Sequence, residues 1–205
     1  MQLELVSSSN TILTQKCEPY NWEDPSMDAH TLTEELHRLR RNDGGEGLAA
    51  PQGGINTRVL VTGIGNFETE GVREFDYVFF NPEITEYSED KVWFTEGCLS
   101  FPNFYIKIKR SENIVISWED EQGKQTTERF GGILGRILQH EVDHLDGVTF
   151  DQRATWHHLQ KARKERTRLV FLRWPIFPCT ISEWMSAVAK SQGMRLLFST
   201  GSQAQ

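Results

Sequence analysis

Gly131-Gly-Ile-Leu-Gly-Arg-Ile-Leu-Gln-His-Glu-Val-Asp-His-Leu-Asp-Gly147 reads as one helix, and what it carries constrains the rest of the chain. A helix turns once in about 3.6 residues, so His140 and His144 stand one above the other and can reach a single metal ion. Glu141 then aims beside that ion, the arrangement that His-Glu-x-x-His provides for metal-assisted hydrolysis. Ile133, Leu134, Ile137, Leu138 and Leu145 make the helix apolar on more than one side, which predicts burial at the centre of the fold. Gly147 is read as the left-handed residue that ends it. The plain alternative for the two imidazoles alone is a pair of core histidines hydrogen-bonded to their neighbours.

Working outward, the 205 residues are 38% hydrophobic and 25% charged, an ordinary globular composition with enough chain for one sizeable core. Cys17, Cys98 and Cys179 are odd in number and widely spaced, which fits reduced thiols better than a disulfide framework. The first residues, Met-Gln-Leu-Glu-Leu-Val, have neither the basic and apolar regions of a signal peptide nor an Arg-rich transit pattern, so a cytoplasmic protein is expected. No apolar run approaches a membrane span, and the formal net charge of -7 argues against DNA as a partner.

Residues 1–25 show no clear periodicity. Met27 to Arg41 repeats Leu32, Leu36 and Leu39 among charges, the pattern of an amphipathic helix. Gly45-Glu-Gly-Leu-Ala-Ala-Pro-Gln52 follows, where small side chains let another group approach the backbone; it lacks the Gly-Lys-Ser/Thr ending of a phosphate loop. Short strands are expected at Arg58 to Thr62, Tyr77 to Phe80, Ile84 to Tyr87 and Lys91 to Phe94, with Asn81-Pro82 and Ser88-Glu89-Asp90 as breaks. Phe104 to Lys109, Asn113 to Trp118 and Lys124 to Phe130 read as a meander or hairpin leading into the helix. Beyond it, Ala154 to Arg173 reads as a basic helix, Ile181 to Lys190 as another short one, Gly193 to Phe198 as an apolar segment and Ser199 to Gln205 as a tail.

A hydrolytic metal site needs three protein ligands and one open position. Cys98 in Glu96-Gly-Cys-Leu-Ser-Phe-Pro102 is the natural third donor, since a strand and a glycine precede it and can project its thiolate inward. A lone cysteine is more often an inert core residue; beside the helix and the small-residue segment, the ligand reading is preferred.

Taken together, Gly45 to Gln52, Glu96 to Ser100 and Gln139 to Gly147 resemble the peptide deformylases. That family carries Gly-x-Gly-x-Ala-Ala-x-Gln, Glu-Gly-Cys-Leu-Ser and Gln-His-Glu-x-Asp-His-Leu-x-Gly, all intact and in order here. Phe80-Asn-Pro-Glu-Ile84 and Arg110 extend the likeness over roughly Met27 to Phe150. The resemblance implies an enzyme that removes the formyl group from N-formylmethionyl peptides. Its implied fold is α+β, with antiparallel strands surrounding a central buried metal-binding helix and further helices at both ends. Residues 1–150 would form the catalytic domain and 151–205 a helical extension, basic over 161–173.

On this reading Cys98, His140 and His144 hold one divalent ion, Fe(II) in cells by resemblance; Zn(II), Ni(II) or Co(II) also suit thiolate and imidazole and can occupy purified protein. Glu141 exchanges the proton of the attacking water. By resemblance, Gln52 and the Leu99 N–H stabilise the developing oxyanion. Gly45, Gly47 and Leu48 would let the peptide lie alongside in extended form. Glu96, Arg110 and Asp143 are candidates for orienting the ligands from behind.

A rival reading is a zinc endopeptidase with Glu165 as third ligand, but Lys-Ala-Arg-Lys-Glu-Arg reads better as a charged helix face, and the reading leaves Gln52 and Glu96 to Ser100 idle. A metal-stapled binding module would want a fourth Cys or His, and none is suitably spaced. Lys161, Arg163, Lys164, Arg166 and Arg168 make the late helix basic in an acidic chain. In similar enzymes a C-terminal helix docks on the ribosome near the nascent-chain exit, so that particle is an expected partner. Folding back of Phe171, Leu172, Trp174, Ile176 and Phe177 is the alternative use of that region.

Overall fold

The computed structural model describes residues 2–64 and 75–171, all within one compact unit, Met1–Trp174. The expected segments at Ile181 to Lys190, Gly193 to Phe198 and Ser199 to Gln205, and the apolar residues from Leu172 on, lie outside the described residues. Helix α1 (Ala29–Asn42) begins where the Asp28 side chain accepts from the Thr31 N–H at 3.0 Å. It starts two residues later than the leucine spacing alone suggests, because Asp28 is the capping side chain.

Strands β1 (Gly47–Ala49), β2 (Val59–Ile64), β3 (Phe75–Tyr87), β6 (Asn113–Glu119) and β7 (Gln125–Gly131) form one antiparallel sheet in the order β1-β2-β3-β6-β7. Among the described residues, strands β4 (Lys91–Cys98) and β5 (Phe101–Ser111) pair only with each other. Helix α2 (Gly132–Leu145) follows β7 and is buried continuously from Gly135 to Leu145. Gly147 closes it with φ +70°, as expected.

Alternation along β2 explains how the large sheet serves two helices. Val59 and Val61 pack with Leu32, Leu36 and Leu39 of α1, whereas Leu60 packs with Leu138, Val142 and Leu145 of α2. The opposite flank of α2 meets the β4–β5 ribbon. The metal-motif helix is therefore enclosed by strands on two sides and α1 lies outside, as the α+β reading predicts. A third cluster joins Phe104, Ile106 and Ile108 of β5 to Phe150 and to Ala162 of helix α3 (Trp156–Phe171).

One strand expectation needs correction. Asn81-Pro82 does not break a strand: β3 runs from Phe75 to Tyr87 through a register shift between Phe80 and Glu83. Asn81 adopts φ +50°, held by the Tyr20 N–H on its Oδ1 at 2.7 Å and by donation from Nδ2 to Tyr20 O and Glu119. A bulge accommodates the proline, and β2 stops pairing at Phe80, so no ladder donor is missed there. Of the meander or hairpin expected before the helix, the hairpin is found: β6 and β7 form it and feed α2, while β5 belongs to the small ribbon.

Candidate active site

Cys98 ends β4 and pairs with Phe101 across the Leu99–Ser100 turn, so its thiol is fixed at the tip of the ribbon. From α2, His144 brings Nε2 to 3.2 Å from Cys98 Sγ. Cys98, His140 and His144 each offer one donor atom, and these atoms lie within 4.8 Å of one another. Donors sharing one tetrahedral ion stand about 3.5 Å apart, so a sulfur and two ring nitrogens in this space suit a single divalent cation. The two rings approach edge to face, with centroids 5.1 Å apart.

His140 and Cys98 each have a reason for their orientation. His140 donates from Nδ1 to Glu96 Oε2 at 3.0 Å, which leaves Nε2 for an ion. Glu96 and Cys98 are two residues apart on β4, so strand alternation turns both toward α2. Arg110 donates to both Glu96 oxygens, at 2.7 and 2.9 Å, and bridges to Asp143 at 2.7 Å. Burial works against a charged Glu96, yet the bonds from His140 and Arg110 hold its carboxyl well below the usual range. Glu96, Arg110 and Asp143 thus form one buried network behind His140.

Sequence reasoning missed two members of that network. Arg136 donates to Glu96 Oε1 at 2.6 Å, and Arg153 donates to Asp143 at 2.6 Å. A signal for the first exists: an arginine one turn before His140 in an apolar helix must be buried, and a buried guanidinium demands a carboxylate.

Glu141 is buried on the same helix, and its Oε2 has no hydrogen-bond partner among the described residues. Burial raises its carboxyl to about 7, against the lowering influence of His140 and Arg110. A carboxyl in that range can take and return a proton near neutral pH. The Gln52 side chain is orientated by the Ala49 N–H, which donates to Oε1 at 2.8 Å. Its amide nitrogen therefore points inward, 3.4 Å from both Cys98 Sγ and Ser100 Oγ.

Gly45, Gly47 and Leu48 lie at and just before β1, close to Leu99 and Glu141. A Cβ at Gly45 would sit 2.6 Å from Leu99 Cδ1, and the Leu48 side chain is turned wholly into the α1 core. Strand β1 pairs with β2 along one side and forms an edge of the large sheet. Glu165, the ligand required by the endopeptidase reading, is exposed on α3 and 4.0 Å from Lys161.

The sequence profile of the polypeptide deformylase family matches residues 2–160. A peptide deformylase from Picosynechococcus is 37% identical over 151 residues, covering 74% of this chain and 78% of that protein. Among solved structures, a Met-Ala-Ser-bound peptide deformylase from Acinetobacter baumannii aligns with TM-score 0.68 at 31% identity, covering 75% of this chain and 98% of that one. A plant peptide deformylase aligns with TM-score 0.73 at 28% identity over 95% of each chain. With its three motifs gathered around one thiolate and two imidazoles, the chain belongs to the polypeptide deformylase family and is a metal-dependent hydrolase that deformylates N-formylmethionyl peptides.

Proposed function

We propose that Cys98, His140 and His144 are the metal ligands for this reaction, Glu141 its acid and base, and Gln52 with the Leu99 N–H its oxyanion donors. When bound, a divalent ion supplies the Lewis acidity that makes a water nucleophilic near neutral pH. Glu141 receives that water's proton and later delivers it to the leaving amine as formate departs. The Gln52 amide, held by Ala49, meets the charge that develops on the formyl oxygen without having to reorganise. Glu96, Arg110 and Asp143 hold the His140 ring in the tautomer that leaves Nε2 for the ion.

The peptide itself would add its extended backbone alongside Gly45, Gly47 and Leu48 at the β1 edge, so affinity comes from main-chain bonds and little is asked of later side chains. The bound Met-Ala-Ser of the Acinetobacter relative supports a substrate of that kind. The single observation carrying the assignment is the convergence of Cys98, His140 and His144 beside a buried Glu141 whose Oε2 has no hydrogen-bond partner among the described residues. Metal-replete protein given formyl-Met-Ala-Ser should release formate and leave the peptide bonds intact. Cleavage of internal peptide bonds, or no formate, would overturn it.

Fe(II) is the proposed ion in the cell, and the cytoplasm the proposed compartment. Among the described residues no helix is long and apolar enough to cross a membrane. Residues 1–150 are proposed to hold the chemistry. The extension over 151–205 would supply a basic surface for the ribosome near the emerging chain, because α3 carries Arg163, Lys164 and Arg168 exposed to solvent.

A further inference from the structure

The β4–β5 ribbon carries Cys98 but is not hydrogen-bonded to the large sheet, so the relation between Cys98 and the two histidines depends on how the ribbon is joined to α2. His140 on Glu96, Arg110 on Asp143 and Gln139 on Ser111 O contribute to that joint along the neighbouring turns of α2, and Arg136 is the one that also reaches the β4 backbone. It leaves α2 one turn before His140 and donates to Val92 O at 2.6 Å and Glu96 Oε1 at 2.6 Å, with a longer contact to Ile108 O at 3.4 Å. Its guanidinium lies over the Phe94 ring, 5.5 Å from the centroid. One side chain thus holds β4 at Val92 and Glu96, the second of these two residues before the thiolate.

Glu96 is fully used by this arrangement. Its Oε1 accepts from Arg110 and Arg136, and its Oε2 from Arg110 and His140. A carboxylate offers about four acceptor sites, so each is taken. Arg110 alone would keep Glu96 paired, so losing Arg136 changes where the carboxylate and its strand sit more than whether it is charged. A lysine could not replace the joint fully, because an ammonium lacks the planar fork that reaches a carboxylate and a carbonyl together.

We propose that Arg136 is a positioning residue of the metal centre: it sets the strand bearing Cys98 against the helix bearing His140 and His144. The inference rests on the reading of those three residues as ligands. Partners that orient ligands from behind typically contribute 10- to 100-fold in metal affinity, so removal should show in metal retention.

The test loads Co(II) into the wild type, Arg136→Met, Arg136→Lys and Glu96→Gln, singly and combined, and follows release to excess chelator through the thiolate-to-cobalt absorption. A wild type without that absorption would refute the ligand reading itself. Given a wild-type band, Arg136→Met should release Co(II) about tenfold faster or more, and Arg136→Lys should fall between. Because Arg136 acts through Glu96, adding Arg136→Met to Glu96→Gln should accelerate release much less than it does alone. Unchanged release from folded Arg136→Met, or full additivity with Glu96→Gln, would overturn the proposal. Should Arg136→Met fail to fold, Arg136→Lys decides: a wild-type release rate in that variant overturns it as well.

Discussion

The Glu141 carboxylate occupies the space that a side chain on Gly47 would need: a Cβ there would stand 2.5 Å from Glu141 Oε1 and 2.7 Å from Ile137 Cγ2. Glycine at 47 is thus a condition for placing the acid and base, beyond any service to the peptide. Gly47→Ala should displace Glu141 while leaving the three ligands in place. Formate release should fall on the order of a hundredfold with metal content unchanged, since misplacing a reacting group by an ångström has that scale. Metal analysis and rate measurement on the same preparation check it, and equal loss of both would show that the clash spreads into α2 through Ile137.

Glu141→Ala separates proton transfer from metal binding. It should retain metal and lose on the order of 10²- to 10⁴-fold in turnover. Cys98→Ala should lose the metal, because its half-buried thiol is one of three protein donors gathered there among the described residues. Metal loss in the first variant with retention in the second would reverse the assignments.

Much of this site was readable before the fold was known because the spacing itself fixes geometry. His140 and His144 lie on one face of any helix, and Gly147 ends it with the positive φ its position demands. Sheet membership was less legible. β5 alternates as regularly as β6, and local periodicity does not state which strand will be its neighbour. The Asn81 bulge depends on Tyr20, sixty-one residues away, and nothing local marks that bond. The same holds for Leu3, Leu13, Cys17 and Tyr20, which are buried from a segment without period because the contacts that bury them are distant in sequence. Arg136 and Arg153 were missed because neither belongs to a motif whose spacing marks it. On α2 the continuous burial is what requires Arg136 to find a carboxylate.

Gln52 is tested by two substitutions with different logic. Gln52→Ala removes the inward amide and should lower kcat on the order of a hundredfold or more, with a smaller change in KM. Gln52→Glu keeps an acceptor for the Ala49 N–H but presents a second acceptor to Cys98, where a donor stood. It should therefore be no better than alanine. A glutamate variant with near-wild-type kcat would remove Gln52 from the oxyanion role.

His37 gives a pH dependence away from the active site. It is buried on α1, and burial, aided by Arg40 and Arg41, lowers its pKa from 6.5 to about 4, although the Asp76 carboxylate opposes the shift. Between those values the unfolded chain binds a proton that the folded one refuses. Its contribution is therefore fully present above pH 6.5 and is lost as the pH falls toward 4. Glu141 has the opposite sign, since its folded carboxyl is raised to about 7, so the wild-type curve alone does not isolate His37. The urea midpoint of wild type relative to His37→Leu should fall between pH 7 and pH 5. A constant difference between the two proteins would show that His37 does not titrate in this way.

The basic helix is the last point of test, and the structure changes which residues should be altered. Arg166 lies over the Phe104 ring, 5.2 Å from the centroid, and so packs α3 onto β5. Replacing it would confound surface charge with packing. Arg163, Lys164 and Arg168 are exposed, and Lys161 is only 4.0 Å from Glu165 at the surface. Arg163→Ala, Lys164→Ala and Arg168→Ala together remove three solvent-facing charges and leave Arg166 and the Ala162 contact intact. If α3 holds the enzyme on an RNA-rich particle, cosedimentation with ribosomes should weaken in the triple variant at low salt, and wild-type binding should fall as salt rises. Deformylation of a short free peptide should be unchanged in both. Equal pelleting of the two proteins at low salt would leave these charges as a solvated face.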